Sequence, residues 1–254
     1  MNPLQGKIII STRPLSDDDA ILAYLTNLGA KVIDFPMIEV HKSIETPDKK
    51  DIFSKINSFD WFIFTSKNGV SFFFDYAKSL NIDLELLKQK KYAVIGNKTA
   101  IELRKIGIEP TYISLGNSSE LFSEELLNGI ITKSDNTLLS LGNLATATLE
   151  NKIKTIATVS RVDVYETKAV ESYDTKPIEL IKNNNYDIII FTSPSGVENF
   201  KKIISIHAIE SNLRIACIGK TTEKALIANG LTPILTAEKA DNFAQEIENY
   251  LTNN

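Results

Sequence analysis

The sequence predicts an α/β protein of two lobes, each a parallel β-sheet covered by helices on both faces. Two observations lead to this fold class. Short apolar runs rich in β-branched residues alternate with amphipathic stretches along the 254-residue chain, and strands too apolar to face water are typical of parallel sheets enclosed by helices. Similar segments also recur in the same order in the two halves of the chain, which indicates a duplicated unit.

The repeat is strongest in two blocks. Residues 60–70 (DWFIFTSKNGV) match residues 187–197 (DIIIFTSPSGV) with seven identities in eleven positions. Residues 93–110 match residues 216–233, and both segments carry Ile-Gly-x-x-Thr followed by Gly-x-x-Pro. Each copy is therefore expected to contain the same strands, helices and turns.

The elements follow from the hydrophobic pattern. Apolar, β-rich runs predict strands at 7–11, 32–35, 61–65, 92–95, 111–113, 137–141, 158–167, 187–192, 214–218 and 233–235. Amphipathic stretches predict helices at 20–28, 69–80, 99–106, 197–204 and 222–229. Gly29, Gly107 and Gly230 follow such stretches, at the left-handed position where glycine commonly ends a helix.

Two polar segments interrupt this alternation, at 36–45 and 166–177. Pro36 and Pro177 lie in them, and Pro47 lies two residues beyond the first. The two segments occupy matching places in the two copies, so they are interpreted as two crossings between lobes separated by a cleft. The predicted boundaries are residues 1–37 with 172–254 for the first lobe, 44–165 for the second, and 38–43 and 166–171 for the linker strands.

Charge and composition limit the class of protein. The 28 basic and 32 acidic residues give a net charge of −4, which argues against nonspecific binding to nucleic acid or to an anionic membrane. No apolar run approaches the roughly 18 residues of a membrane span, and the first residues lack a signal-peptide pattern. The lone Cys217 is expected to be a packed thiol in a strand. The prediction is a cytoplasmic protein with neither nucleic acid nor membrane as a partner.

The repeated turns between strand and helix are candidate anion sites. Ser66 and Ser193 suit the N-cap of the following helix, and Gly69 and Gly196 would let another group approach the backbone closely. Hydroxyls and free N–H groups at a helix N-terminus bind anions. The alternative is that these hydroxyls are only helix caps.

The second pair of turns contains Thr99 in one copy and Thr221 and Thr222 in the other, with Lys98 and Lys220 adding charge. The chain lacks a phosphate-binding Gly-Lys-Ser/Thr or a full Gly-x-Gly-x-x-Gly motif. Several weak anion sites therefore predict a ligand whose carboxylates are spread over a wide body.

Two further polar residues lie at predicted strand ends. Alternation in Arg161-Val-Asp-Val-Tyr165 places Arg161, Asp163 and Tyr165 on one face of a strand, where a protonated tyrosine could donate a proton to a leaving hydroxyl. Arg13, before Pro14, ends the first strand and could face the cleft. The alternatives are an ordinary half-exposed tyrosine and a surface arginine.

Familiar catalytic sets are missing. His41 and His207 are isolated, and no metal-ligand spacing or Ser/His/Asp nucleophile motif is found. If the protein is an enzyme, it is expected to use neither metal nor covalent intermediate.

These motifs together resemble the uroporphyrinogen-III synthase family. The resemblance rests on the N-terminal Ser-Thr-Arg-Pro, the paired Phe-Thr-Ser-x-x-Gly-Val, Ile-Gly-x-x-Thr and the mid-chain Val-Tyr-Glu-Thr, and it covers essentially the whole chain. It implies two flavodoxin-like lobes joined by a two-stranded linker. It also implies a cofactor-free, cytoplasmic, monomeric hydro-lyase that cyclises linear hydroxymethylbilane, loses water and inverts the last pyrrole ring through a spiro intermediate.

The resemblance also implies roles for single residues. Tyr165 matches the tyrosine that assists hydroxyl departure. The matching substrate-binding residues are Arg13, Ser66, Thr99, Ser193, Ser195, Gly196, Thr221 and Thr222. The chain departs from many relatives at Gly142-Asn143, where a basic residue is common, so no substrate contact is assigned there. A transient contact with the upstream bilane-forming enzyme is a further implication.

Two readings from other classes stay open. A noncatalytic two-lobed anion-binding or sensor protein would use the same cleft, although the repeats leave no room for an output domain. A glycosyltransferase using a nucleotide sugar is disfavoured because no nucleotide or metal motif is evident.

Overall fold

The computed structural model describes residues 2–14, 19–114, 116, 118–209 and 212–253. The chain divides into two compact units. Unit 1 comprises Met1–Glu39 and Lys168–Asn254, and unit 2 comprises Val40–Thr167. Unit 2 is therefore an insertion between the two segments that build unit 1.

Strands and helices alternate along most of the chain. The strands are β1 (Ile8–Ser11), β2 (Lys31–Asp34), β3 (Ile38–Lys42), β4 (Trp61–Phe64), β5 (Lys91–Ile95), β6 (Tyr112–Ser114), β7 (Asn136–Gly142), β8 (Thr158–Ala169), β9 (Ile188–Phe191), β10 (Ile215–Ile218) and β11 (Leu235–Ala237). The helices are α1 (Ala20–Asn27), α2 (Pro47–Ser54), α3 (Lys67–Ser79), α4 (Leu84–Lys88), α5 (Gly96–Lys105), α6 (Ser119–Leu127), α7 (Thr148–Ile153), α8 (Lys176–Lys182), α9 (Val197–Ile206), α10 (Gly219–Ala228) and α11 (Ala240–Asn253).

Unit 1 contains a parallel sheet in the order β11-β10-β9-β1-β2. Read from β2, this is the 2-1-3-4-5 order of flavodoxin-like folds. Alternate residues of β1 enter opposite cores: Ile10 packs with Phe191 and Phe200 on one face, and Ile9 packs with Phe243 on the other. The central strands β1, β9 and β10 are apolar along nearly their whole length because both faces of the sheet are covered.

Unit 2 contains a sheet in the order β3-β8-β7-β4-β5-β6. From β8 to β6 the neighbouring strands are parallel. If β7 and β8 are taken as the first two strands, the order is again 2-1-3-4-5, in a circularly permuted form. The repeated sequence blocks therefore correspond to equivalent strands, β4 with β9 and β5 with β10.

β3 is the edge strand and runs antiparallel to β8. Ser43 N–H donates to the carbonyl of Val164 at 3.1 Å, and Val170 N–H donates to the carbonyl of Met37 at 3.2 Å. As the chain advances along β3, its partners move backwards along β8. The two segments that connect the units are thus hydrogen-bonded to each other.

The predicted α/β class with helix-covered parallel sheets is confirmed, and the predicted strands recur with ends shifted by a few residues. One interpretation of the interrupting segments was wrong. Pro47 and Pro177 do not lie in extended linkers, because each occupies the first turn of a helix, α2 and α8 respectively. Proline suits that position since its missing N–H would have no partner there. Gly107 and Gly230 end their helices with φ of 77° and 72°, as predicted.

The core of unit 2 is aromatic on the face covered by α3. Phe73 of α3 is fully buried, and its ring centroid lies 5.1 Å from that of Phe53 and 5.5 Å from those of Phe62 and Phe64. This packing holds α3 against the sheet and so places the N-terminus of the helix at the ends of the strands. Cys217 is buried in unit 1, in agreement with a packed thiol. In the described residues, we find no helix with the length and apolar character to cross a membrane.

Candidate functional site

In unit 2, polar residues collect at the carboxyl edge of the sheet. Ser66 follows β4, Thr99 lies in the helix that follows β5, and Tyr165 lies in β8. The intervening β7 ends at Gly142. In parallel α/β sheets this edge is where ligands bind, because the following helices direct their N-termini towards it.

Tyr165 and Ser66 form a hydrogen-bonded pair. The Tyr165 hydroxyl lies 3.1 Å from Ser66 Oγ. Ser66 is the N-cap of α3, and its Oγ accepts the Gly69 N–H at 3.1 Å. The ring of Tyr165 stacks on that of Phe72, with centroids 6.0 Å apart. The phenol is therefore held beside the N-terminus of α3 by one hydrogen bond and one ring contact.

A β-bulge overturns the predicted face of Tyr165. In the β7–β8 ladder Leu141 pairs with Asp163, but Gly142 pairs with Tyr165, so Val164 is an extra residue. The extra residue turns Tyr165 away from the side of Arg161 and Asp163 and packs it against the α3-side core, which contains Val162. Up to Asp163 the side chains of β8 alternate between the two faces of the sheet. Arg161 and Asp163 therefore share a face, and Arg161 Nε donates to Asp163 Oδ1 at 2.8 Å.

Helices α5 and α10 begin without a side-chain cap. Each starts at a glycine with positive φ, 73° at Gly96 and 77° at Gly219, and neither N-cap position supplies a side-chain hydrogen bond. The predicted capping alternative is therefore wrong for Thr99 and Thr222. The N–H groups in the first turns of α5 and α10 have no intrahelical partner, so the N-terminus of each helix is suited to bind an anion.

Thr99 and Thr222 occupy equivalent positions and are 3% and 2% exposed. In the part of the chain that the structure describes, neither hydroxyl makes a hydrogen bond with another side chain or with the backbone. Thr221 is exposed on the outer side of the same turn.

In unit 1, the predicted residues gather where β1 and β9 end. Arg13 Nε lies 3.2 Å from Asp19 Oδ2, and Arg13 Nη1 donates to Thr192 Oγ1 at 3.5 Å. Ser193 Oγ and Ser195 Oγ lie 3.0 Å apart. Since β1 and β9 are adjacent in the sheet, the guanidinium and the two hydroxyls occupy the same edge.

One expectation for these turns needs correction, and the close approach of another group to each glycine is confirmed. Ser193 stands at an N-cap position, but its hydroxyl makes no cap hydrogen bond and contacts Ser195 instead. The space beside the buried Gly196 is filled by Met37 of unit 1, since a Cβ on Gly196 would lie 2.9 Å from Met37 Cβ. Gly69 is similar, with the Ser140 carbonyl oxygen 3.0 Å from its Cβ position. Both glycines allow close packing in their own unit.

The free hydroxyl of Thr222 leads to a prediction. We expect Thr222→Val to change the free energy of unfolding by less than about 1 kcal/mol, because no internal hydrogen bond is lost. If the hydroxyl binds substrate, kcat/KM should fall by about 2- to 12-fold, the equivalent of one hydrogen bond. Steady-state kinetics and urea unfolding measure the two effects, with the exposed Thr26→Val as a control. A loss of more than about 1 kcal/mol with normal kinetics would instead show that the hydroxyl contributes to the stability of the fold and not to substrate binding.

A charged cavity beside the bulge was not anticipated from the sequence. It has a volume of about 330 Å³, and its lining includes Lys49, Arg161 and Glu166. Lys49 is 4% exposed, its Nζ contacts Ser43 Oγ at 2.8 Å, and it lies 4.2 Å from the ring centroid of Tyr76. Burial, with a smaller effect from the positive charge of Lys42, lowers the pKa of Lys49. Only the fold brings these residues together. Among the described residues, no cluster of three His, Cys, Asp or Glu side chains could hold a metal ion.

Comparison with known proteins identifies the family of the chain. Residues 19–244 match the family model described as uroporphyrinogen-III synthase HemD. The chain belongs to the uroporphyrinogen-III synthase family. The resemblance noted from the motifs is thereby confirmed.

Relatives within the uroporphyrinogen-III synthase family are distant in sequence. The porphyrin biosynthesis protein HemD of Ruminiclostridium josui is 29% identical over 88% of this chain, which spans only 44% of that protein. The uroporphyrinogen-III synthase of Chlorobaculum parvum is 27% identical, with 95% of this chain and 98% of that protein covered. A crystal structure of a mutant uroporphyrinogen III synthase from Thermus thermophilus is 20% identical, covers 98% of this chain and 100% of its own, and has a TM-score of 0.63. This last likeness supports the fold.

In this member of the uroporphyrinogen-III synthase family, the structure explains Gly142 and Asn143, to which the sequence motifs assigned no role. Gly142 borders the ring of Tyr165, and the side chain of Asn143 bonds to the backbone of Thr167. A glycine at the end of an apolar strand is itself a sign of a bulge or of a close approach.

Proposed function

We propose that the chain is a uroporphyrinogen-III synthase, an enzyme of tetrapyrrole biosynthesis that cyclises hydroxymethylbilane with inversion of the last pyrrole ring. Family membership supports the substrate class and the reaction. The observation that carries the proposal is the Tyr165–Ser66 pair at the carboxyl edge of the unit 2 sheet. It combines a proton donor with a helix N-terminus that suits an anionic ligand.

Tyr165 acts on the hydroxymethyl group of the bilane. Its phenol proton moves to the leaving hydroxyl oxygen, the carbon–oxygen bond breaks and water departs. The neighbouring pyrrole stabilises the resulting cation, which is attacked by the substituted carbon of the last ring to form the spiro intermediate. Cleavage, rotation and closure of that ring then release one proton, which restores the phenol. The net change is loss of water, as in a hydro-lyase.

Ser66 supports this step. Its Oγ accepts the Gly69 N–H, so the hydroxyl is fixed within the N-cap of α3. When Ser66 donates to the Tyr165 oxygen, the phenol proton is available to the substrate. Most of the rate enhancement would come from holding a flexible chain in the spiro-forming shape.

The substrate carboxylates bind at turns in both units. The uncapped N-termini of α5 and α10 supply N–H groups, and Thr99, Thr221 and Thr222 supply hydroxyls. Main-chain donors bind anions without the desolvation cost of many buried lysines.

The unit 1 turn completes the proposed set of contacts. Arg13 is about one-third exposed while its Nε faces Asp19, so the guanidinium is held in place with an accessible edge. The paired hydroxyls of Ser193 and Ser195 and the Gly196 turn lie at the same edge of the sheet. We further propose that the enzyme acts as a cytoplasmic monomer without a cofactor and contacts the bilane-forming enzyme transiently.

A coupled assay tests the proposal. Hydroxymethylbilane is generated in place by its synthase, this protein is added without metal or nucleotide, and the type III and type I macrocycles are separated by chromatography. We expect type III product to appear in proportion to the protein added. A reaction without this protein gives the background of spontaneous closure. Type I product alone from the folded protein would exclude the synthase and leave a noncatalytic anion-binding protein as the better explanation, which a bilane-binding titration would then test.

A further inference from the structure

Tyr165 reaches Ser66 by crossing the end of another strand. Tyr165 lies on β8 and Ser66 follows β4, and β7 runs between these two strands. Neighbouring strands are about 4.8 Å apart, so the phenol extends over a strand to make its 3.1 Å contact. The residue it crosses is Gly142, which pairs with Tyr165 at the bulge.

The space above Gly142 is filled by the tyrosine ring. A Cβ built on Gly142 would lie 2.4 Å from both Cε2 and Cζ of Tyr165 and 2.9 Å from its hydroxyl oxygen. Real Cβ atoms do not approach ring atoms this closely, so any other residue at position 142 would displace the ring. The φ angle of Gly142 is not in the left-handed region. Glycine is therefore needed here for space alone.

Asn143 holds β8 just beyond the bulge. Its N–H donates to the Tyr165 carbonyl at 3.2 Å. Its side-chain Oδ1 accepts the Thr167 N–H at 2.8 Å, and its Nδ2 donates to the Thr167 carbonyl at 3.2 Å. The asparagine amide thus takes the place of a peptide group in the ladder and fixes the backbone from the Tyr165 carbonyl to Thr167.

We propose that Gly142 and Asn143 are positioning residues for Tyr165. Gly142 provides the gap through which the phenol reaches the N-cap of α3, and Asn143 fixes the bulge that turns the ring to that face. Neither residue contacts the reacting atoms. The catalytic meaning of this arrangement rests on the proposed function, whereas the coupling of both residues to Tyr165 does not.

Kinetics provide the first test, by the coupled assay. We expect Gly142→Ala to lower kcat by about 10²-fold, the contribution of a positioned proton donor, with KM changed less than twofold. In the Tyr165→Phe background, Gly142→Ala should cause less than a twofold further loss, because the hydroxyl it misplaces is already absent. Equal losses in both backgrounds would overturn the positioning role.

The unfolding temperature provides a test that does not require activity. Gly142→Ala should lower the unfolding midpoint of the native enzyme and have little effect in the Tyr165→Ala background, where the ring is gone. Gly129→Ala is the control, because Gly129 has a φ of 94° and no atom within 4 Å of its Cβ position. Backbone strain should lower its midpoint without changing kcat. If Gly142→Ala destabilises equally with and without the tyrosine ring, the proposal is wrong.

Asn143→Ala covers the case in which Gly142→Ala does not fold. It should lower kcat at least tenfold, again with less than a twofold further loss in the Tyr165→Phe background. An unchanged kcat would exclude Asn143 from positioning. If the native protein forms no type III product but the stability coupling between Gly142 and Tyr165 is found, the proposed function fails and the structural inference stands. If type III product forms but the couplings to Tyr165 are absent, the proposed function stands and the structural inference fails.

Discussion

Tyr165→Phe is expected to lower the kcat for type III macrocycle formation by about 10²-fold, within the range of general acid catalysis. KM should change little, because the phenyl ring keeps its stacking on Phe72. The variant loses the hydroxyl that contacts Ser66 at 3.1 Å and the proton that would pass to the leaving group. Residual activity is expected because substrate folding and carboxylate binding do not depend on this hydroxyl.

The measurement is the steady-state rate of type III product, corrected for type I product. Tyr24→Phe is a suitable control, since Tyr24 also loses hydroxyl hydrogen bonds, to Gln245 and Glu248, on the exposed surface of α1. It should leave kcat unchanged. If Tyr165→Phe turns over at the native rate, Tyr165 is not the proton donor and its contact with Ser66 is structural.

Phe73→Ala is expected to destabilise unit 2 by about 3–5 kcal/mol, the range for removing a buried aromatic ring. Phe73 is fully buried and contacts the rings of Phe53, Phe62, Phe64 and Phe74, so its loss leaves a cavity that rigid neighbours cannot fill. Since domains are stable by only about 5–15 kcal/mol, this is a large share of the total. The variant should lose activity at a lower temperature than the native enzyme, because the packing of Phe73 holds α3 in place and Ser66 is the N-cap of that helix.

Urea unfolding followed by circular dichroism measures this effect. Ile101→Ala, on the surface of α5, is the control, because its side chain is 50% exposed and the change should stay within about 0.5 kcal/mol. A Phe73→Ala midpoint no lower than that of Ile101→Ala would show that the aromatic cluster contributes little to stability.

Much of the fold could be predicted because its signals are local. The central strands are apolar on both faces, and Gly107 and Gly230 mark the ends of the repeated helices, so element type follows from a short window of sequence. The repeat also indicated which strands are equivalent. Pro47 and Pro177 were misread because proline suits both an extended segment and the first turn of a helix. The residues after the proline decide between these two conformations.

The candidate site was less predictable because it depends on contacts between distant segments. Ser66 could be recognised as an N-cap from the strand-to-helix turn alone. The face of the sheet on which Tyr165 lies could not be predicted, because one extra residue in β8 reverses the alternation of side chains. Only the pairing of β8 with β7 reveals that residue. The free hydroxyls of Thr99 and Thr222 likewise depend on glycine-started helices whose N-caps lack side-chain acceptors.

The insertion of unit 2 into unit 1 sets an order of events during synthesis. Val40–Thr167 is continuous, so unit 2 can complete its sheet while the ribosome is still adding the rest of the chain. β1 must wait for β9, and Ile8 meets its partner Asp187 only after 179 further positions. At about 5–20 residues per second, β1 and β2 spend roughly 10–35 s with an open apolar edge. The edge of β1 thus needs protection from aggregation until β9 has been made.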